Sequence, residues 1–239
     1  MIKKIIVSSL VSAALITMAQ AEETPFVSHA ELGYTSTSGN TQTDTFTFDG
    51  NVKKAWDEHS LFLKADAQYA KDKETELKNK IFTELKYDYA FADTLSFDYI
   101  VGYKNDKFSG YSYQSYTGPG VKYKAIVNKE HNLDLTGSIL YAMDEVEGAT
   151  DKDTYSSYKA EANYAWQIME TLKFAQDLTY RASFEEGDNY FIYSKSALST
   201  KISDMFSAGI SYKIDYTNLA PVGNEKSDKT LAVNLILDY

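Results

Sequence analysis

Strict two-residue alternation, repeated along most of the chain, limits what it can fold into more than any other feature. In MFSAGISYKIDY, Phe206, Ala208, Ile210, Tyr212, Ile214 and Tyr216 share one parity, and Ser207, Gly209, Ser211, Lys213 and Asp215 share the other. Side chains on a strand point to opposite faces in turn, so this stretch has one apolar face and one polar face. LKFAQDLTYRASF repeats the split, with Leu172, Phe174, Leu178, Tyr180, Ala182 and Phe184 opposite Lys173, Asp177, Thr179, Arg181 and Ser183. TLSFDYIVGYK does so again through Leu95, Phe97, Tyr99, Val101 and Tyr103.

Cutting the chain at its polar and turn-forming clusters predicts twelve strands, near 26–36, 42–56, 59–71, 78–91, 94–104, 113–127, 131–143, 154–168, 171–184, 190–202, 205–216 and 229–239. Tight connections fall at Asp57-Glu58, Ala92-Asp93, Asn128-Lys129-Glu130, Met169-Glu170 and Ser203-Asp204. Between them come mostly longer, more charged loops: SGNTQ, KDKETEL, NDKFSGYS, DEVEGATDKD, EEGDN and TNLAPVGNEKSDK. An even strand count with short turns at one end and longer loops at the other is the layout of an outer-membrane barrel. The predicted fold class is therefore all-β: a transmembrane antiparallel up-and-down β-barrel of about 12 strands.

Aromatic placement supports that reading over a soluble barrel. Phe26, Trp56, Phe91, Trp166, Phe206 and Tyr239 sit at the short-turn ends of their strands. Tyr34, Tyr69, Tyr103, Tyr141, Tyr180, Phe184 and Tyr216 lie toward the long-loop ends. Two aromatic belts bounding an apolar band match the two membrane–water interfaces. A lipocalin-like barrel would turn the apolar parity inward, and twelve strands would then enclose a very large apolar interior.

The first 21 residues place Lys3 and Lys4 ahead of an apolar run from Ile5 to Met18 and end on Ala19-Gln20-Ala21, the pattern of a cleaved secretory signal. The mature barrel is expected over 22–239, in the outer membrane of a Gram-negative cell. Two of the 24 Lys and Arg residues lie in the leader, so 22 face 34 Asp and Glu, and the net charge of about −12 argues against a nucleic-acid partner. The absence of cysteine excludes disulfides and thiolate metal sites.

Two stretches resemble a known family. LGYTSTSGNTQ, Leu32 to Gln42, is similar to the Gly-x-x-x-x-Ser-Gly-Asn-Thr segment of the YdiY-like salt-induced outer membrane proteins, and YKNDKFSGYSYQSYTGPGVKY, Tyr103 to Tyr123, to their Asp-x-Phe-x-Gly stretch followed by Gly-x-Gly-x-x-Tyr. That pattern has an arginine near the position of Gln114, which this chain lacks. The resemblance implies an outer-membrane barrel linked to salt or osmotic stress and no established activity.

With strands spaced about 4.8 Å apart and tilted roughly 40°, a twelve-strand barrel has a backbone diameter of about 24 Å. Inward side chains leave a narrow lumen at most. The inward parity of strands six to eleven carries Lys122, Lys124, Lys159, Lys173, Arg181, Lys195, Lys201 and Lys213, beside Asp134, Glu161, Asp177 and Asp215. On strands one to five Glu31, Asp49, Asp66, Glu84, Asp88 and Asp98 face Lys53, Lys64, Lys86 and Lys104. One wall leans basic and the other acidic. Two readings follow: a narrow pore with a basic track for small anions, or a non-conducting structural barrel filled with ion pairs.

Enzymatic chemistry, such as outer-membrane lipid modification, is the weaker alternative. The three histidines, His29, His59 and His131, all thread to the short-turn rim, and no Gly-x-Ser-x-Gly elbow is present. The acidic loops, Asp144, Glu145, Glu147, Asp151 and Asp153 in one and Glu185, Glu186 and Asp188 in another, read as solvated, and no cofactor is implied. The alternating end TLAVNLILDY, through Leu235, Leu237 and Tyr239, resembles the signal read by the β-barrel assembly machinery. Outer-membrane lipids and lipopolysaccharide are the other expected partners, around a monomer.

Overall fold

The computed structural model describes residues 26–36, 43–73 and 75–239. The leader expected over 1–21 and the SGNTQ loop lie outside the described residues. The strands are β1 (Val27–Ser36), β2 (Thr43–Trp56), β3 (His59–Asp72), β4 (Thr75–Ala90), β5 (Leu95–Asp106), β6 (Tyr111–Val127), β7 (His131–Val146), β8 (Asp153–Gln167), β9 (Leu172–Ser183), β10 (Tyr190–Lys201), β11 (Phe206–Thr217) and β12 (Ser227–Asp238). They form one closed antiparallel barrel in which every strand pairs with its chain neighbours and β1 pairs with β12. Among the described residues no helix is long and apolar enough to cross a membrane.

Closure explains how the chain can end in a strand. His29 to Gly33 pair with Asp238 to Asn234 across the seam. Below them Ser28 N–H donates to the Tyr239 carbonyl at 2.6 Å and Tyr239 N–H to the Ser28 carbonyl at 2.9 Å. The last residue is thus held in the sheet, and its edge is spent on β1. At the β2–β3 turn Asp57 takes a φ of +48°, a left-handed conformation that aspartate tolerates better than most residues.

The alternation resolves into two environments. Along β5, Ser96, Asp98 and Ile100 are buried while Phe97, Tyr99 and Val101 are exposed. The buried side chains of the barrel are largely charged or hydroxylated, with Ile100, Leu140 and Ile236 among the few apolar ones. The exposed surface carries Leu61, Leu63, Leu85, Leu135, Ile139, Ile210 and Val233. A polar interior beneath an apolar exterior is inverted relative to a water-soluble barrel and suits lipid outside. Ile236 of β12 departs from the pattern, an apolar residue that points inward at 4% exposure.

Several strands run further toward the long-loop rim than the polarity pattern suggests. β7 continues to Val146, so Asp144 is a buried strand residue rather than part of a solvated loop, and Glu145 also belongs to the strand. Charged residues at strand ends look like loop in a sequence, yet inward-facing ones are needed to pair with other inward charges. At Gly118 the backbone of β6 lies so close to the Ile139 carbonyl on β7 that any Cβ would collide with it. Gly118 thus permits a close backbone approach between the two strands.

Candidate functional site in the barrel lumen

The inward parity brings charges from well-separated strands into contact. Lys195 on β10 reaches Glu31 on β1 at 2.7 Å and Asp49 on β2 at 3.3 Å. Lys213 on β11 pairs with Asp49 at 3.1 Å and with Asp66 on β3. Lys80 on β4 crosses to Asp215 on β11 at 2.7 Å. On a twelve-strand ring these two strands are five steps apart, so this pair nearly spans the bore. A four-charge cluster joins β4 and β8: Lys159 contacts Glu84 at 2.6 Å and Glu161 at 3.2 Å, and Lys86 contacts Glu161 at 2.8 Å and Glu84 at 3.2 Å. The Tyr116 hydroxyl donates to Glu84 at 2.5 Å. The basic and acidic walls therefore neutralise each other across the lumen, as desolvated charges must.

The lumen is hollow above and below this network. A cavity of about 890 Å³ opens from the short-turn rim, and a smaller one of about 120 Å³ lies toward the long loops. Lys64, Glu84, Glu161, Thr179 and Tyr193 line both, so these side chains stand between the two cavities. Above the small cavity, the loop between β11 and β12 reaches the β5–β6 turn on the opposite side of the ring. Tyr111 OH donates to the Leu219 carbonyl at 3.2 Å. Gly110, at a φ of +78°, sits so close to Pro221 and Asn224 that a Cβ would strike both. The 218–226 segment is a strap across the long-loop mouth.

The eight basic candidates from the sequence occupy different settings. Lys159, Arg181, Lys195 and Lys213 are buried in the network. Lys122 is partly buried and donates to Asp88 at 2.6 Å. Lys124 reaches the Asp93 carbonyl, at 3.4 Å, beside a short turn. Lys173 is exposed in the large cavity. Lys201, which lines neither cavity, pairs with Asp204 at 2.8 Å in the β10–β11 turn and holds that carboxyl below its usual range. Arg181 is sandwiched between the rings of Tyr116, 5.2 Å away, and Phe191, 4.3 Å away, with Nη2 3.6 Å from Asp144. At the other candidate site, Leu235, Leu237 and Tyr239 all lie on the parity opposite the lumen-facing Asn234 and Ile236, and Tyr239 is 81% exposed at the short-turn rim.

Several lumen residues escape a reading of the sequence. Lys80 follows the inward parity of β4 but is easily passed over in the charged KDKETELKNK run. Tyr116 and Tyr193 give no warning either, and only the closed barrel brings them against Glu84 and Lys64 and sets Asp144 beside Gln114 and Arg181. Asp98 is fully buried with neither carboxylate oxygen bonded among the described residues.

The histidines do occupy the short-turn rim. His29 bridges Asp238 at 2.6 Å and Glu31 at 3.0 Å across the β1–β12 seam. His59 and His131 bond the hydroxyls of Tyr87 and Tyr164 at 2.7 and 2.8 Å and stack on Trp56 and Trp166. They take part in the aromatic belt at that rim. The other belt includes a ladder of rings, Tyr158, Tyr180, Tyr190 and Tyr216, with successive centroids 6.0, 5.7 and 6.0 Å apart.

Among solved structures the NanC porin superposes with a TM-score of 0.53 at 10% identity, covering 89% of this chain and 98% of its own. The KdgM porin aligns at a TM-score of 0.44 and 11% identity, over 90% of this chain and 98% of its own. At such identities the NanC match establishes the fold, that of an outer-membrane porin-like barrel. Comparison with curated proteins finds no match. A family model matches residues 30–239, and the chain accordingly belongs to the family described as "Protein of unknown function, DUF481".

Proposed function

We propose that this integral barrel is a narrow diffusion pore of the outer membrane, favouring small anions, with its long-loop rim facing outward. The observation that carries the reading is the shape of the lumen: two cavities, about 890 and 120 Å³, that share five lining residues. Charged side chains at such a junction, carrying free donors beside paired ones, set both conductance and charge preference. A role in envelope maintenance under salt or osmotic stress rests on the family resemblance alone. The barrel is taken to be a monomer surrounded by lipopolysaccharide and inserted by the assembly machinery through Leu235, Leu237 and Tyr239.

The second reading is a structural barrel that does not conduct, and the near-diametric Lys80–Asp215 pair at 2.7 Å favours it. Planar-bilayer recordings across several salts separate the two. The pore predicts small, discrete conductance steps and a reversal potential displaced toward the anion. Folded protein that inserts and stays silent would establish the structural barrel, and cation-selective reversal would reject the anion preference.

A further inference from the structure

The ion-pair network uses up the carboxylates of the small cavity and leaves donors over. Glu84 and Glu161 are each held by Lys86 and Lys159, and Asp215 by Lys80. Buried atoms lining the cavity with no hydrogen-bond partner include Nη1 of Arg181, Nε2 of Gln114 and the Tyr193 hydroxyl. Arg181 and Gln114 are 6% and 4% exposed, so neither reaches bulk solvent. The ammonium of Lys64 has no carboxylate at ion-pair distance among the described residues; it rests 5.2 Å from the Tyr193 ring and feels Asp49, Asp177, Glu84 and Asp66 only at longer range. One lining acceptor remains unbonded, Asp66 Oδ1, and Lys80 lies 3.9 Å from it.

Charge and size narrow what could fill the gap. The lining holds five cations, Lys64, Lys80, Lys104, Lys159 and Arg181, against four anions, Asp66, Glu84, Glu161 and Asp215. Asp144, just outside the lining, pairs with Arg181 at 3.6 Å, which leaves Lys64 as the lining cation with no carboxylate at ion-pair distance among the described residues; a single negative charge suits it, and a second would be unpaired in a desolvated space. The volume of about 120 Å³ equals the share of about four waters. Arginine and a side-chain amide present planar N–H donors that suit the two oxygens of a carboxylate. The Tyr116 and Phe191 rings hold the guanidinium flat, so its donors are already oriented before a ligand arrives.

We infer that the small cavity is a binding site for the carboxylate of a small organic monoacid, with Arg181 and Gln114 donating to its oxygens and Lys64 balancing its charge. The inference deepens the pore reading by naming a solute class, and it is tested by equilibrium binding, which needs no conduction. The probe is 13C-labelled lactate titrated into the full-length barrel in detergent micelles, with lactamide as its neutral counterpart. Lactate should give a saturable shift and lactamide none. Lys64→Met and Gln114→Leu, each confirmed as folded by heat-modifiable migration, should weaken lactate at least tenfold, and either variant suffices if the other fails to fold. Equal binding of lactate and lactamide, no saturable binding, or unchanged affinity in a folded variant overturns the site. Conductance without lactate binding rejects the site and spares the pore; binding without conductance keeps the site and rejects the pore.

Discussion

Removing Lys159 tests whether the charge cluster between β4 and β8 is a desolvated unit or a set of wet, loosely paired side chains. The ammonium lies 2.6 Å from Glu84 and 3.2 Å from Glu161. At an effective dielectric of about 20 those contacts amount to about 6 and 5 kcal/mol of gross attraction, partly offset by repulsion from Lys86 and by the cost of dehydrating the charges. In Lys159→Met, Glu84 and Glu161 share Lys86 alone, at 3.2 and 2.8 Å, with the Tyr116 hydroxyl as the remaining donor to Glu84. A carboxylate left uncompensated in this way should cost about 3–5 kcal/mol. Adding Glu84→Gln restores neutrality, so the double variant should recover about 2 kcal/mol relative to the sum of the two single losses. Urea unfolding in lipid vesicles, followed through Trp56 and Trp166 on the outer face of the short-turn rim, measures all three. A single variant that loses less than about 1 kcal/mol, or strictly additive losses, would refute the desolvated cluster. A loss that vanishes in about 1 M salt, where the Debye length is about 3 Å, would show the charges to be screened by pore water.

Two further outcomes follow from particular contacts. Gly110→Ala introduces a Cβ where Pro221 and Asn224 already sit and strains a backbone at a φ of +78°, so the 218–226 strap should detach. Faster proteolysis within that segment, with an intact barrel core, is the expected readout; unchanged cleavage would mean that the strap does not depend on this contact. Deleting Tyr239 removes two backbone hydrogen bonds to Ser28, at 2.6 and 2.9 Å, and the terminal aromatic of the alternating signal. Membrane-inserted, heat-modifiable protein should fall severalfold in cells, and normal insertion would count against an assembly role.

The period-two alternation suffices to establish strands, their number and which parity turns inward, because a pleated strand leaves each residue only two directions. MFSAGISYKIDY already separates Lys213 and Asp215, which enter the lumen, from Ile210 and Tyr212, which face lipid. Closure was also legible, since twelve strands with an apolar outer face leave no other way to satisfy the sheet edges in lipid. Strand ends were less so: Asp144 reads as loop because a charge at a strand end looks the same whether it meets water or Arg181.

Which inward charges meet is a property of the closed barrel alone. Pairing across the bore depends on strand register and on curvature, and neither is encoded locally in any one strand. The sequence by itself determined a basic and an acidic wall; the tertiary structure decided that Lys195 and Lys213 find Glu31, Asp49 and Asp66. It also decided what stays unpaired. The inward parity marks Lys64 and Arg181 along the chain, but only the crossing of twelve strands leaves their donors and that of Gln114 facing one small cavity after the carboxylates around it have been taken.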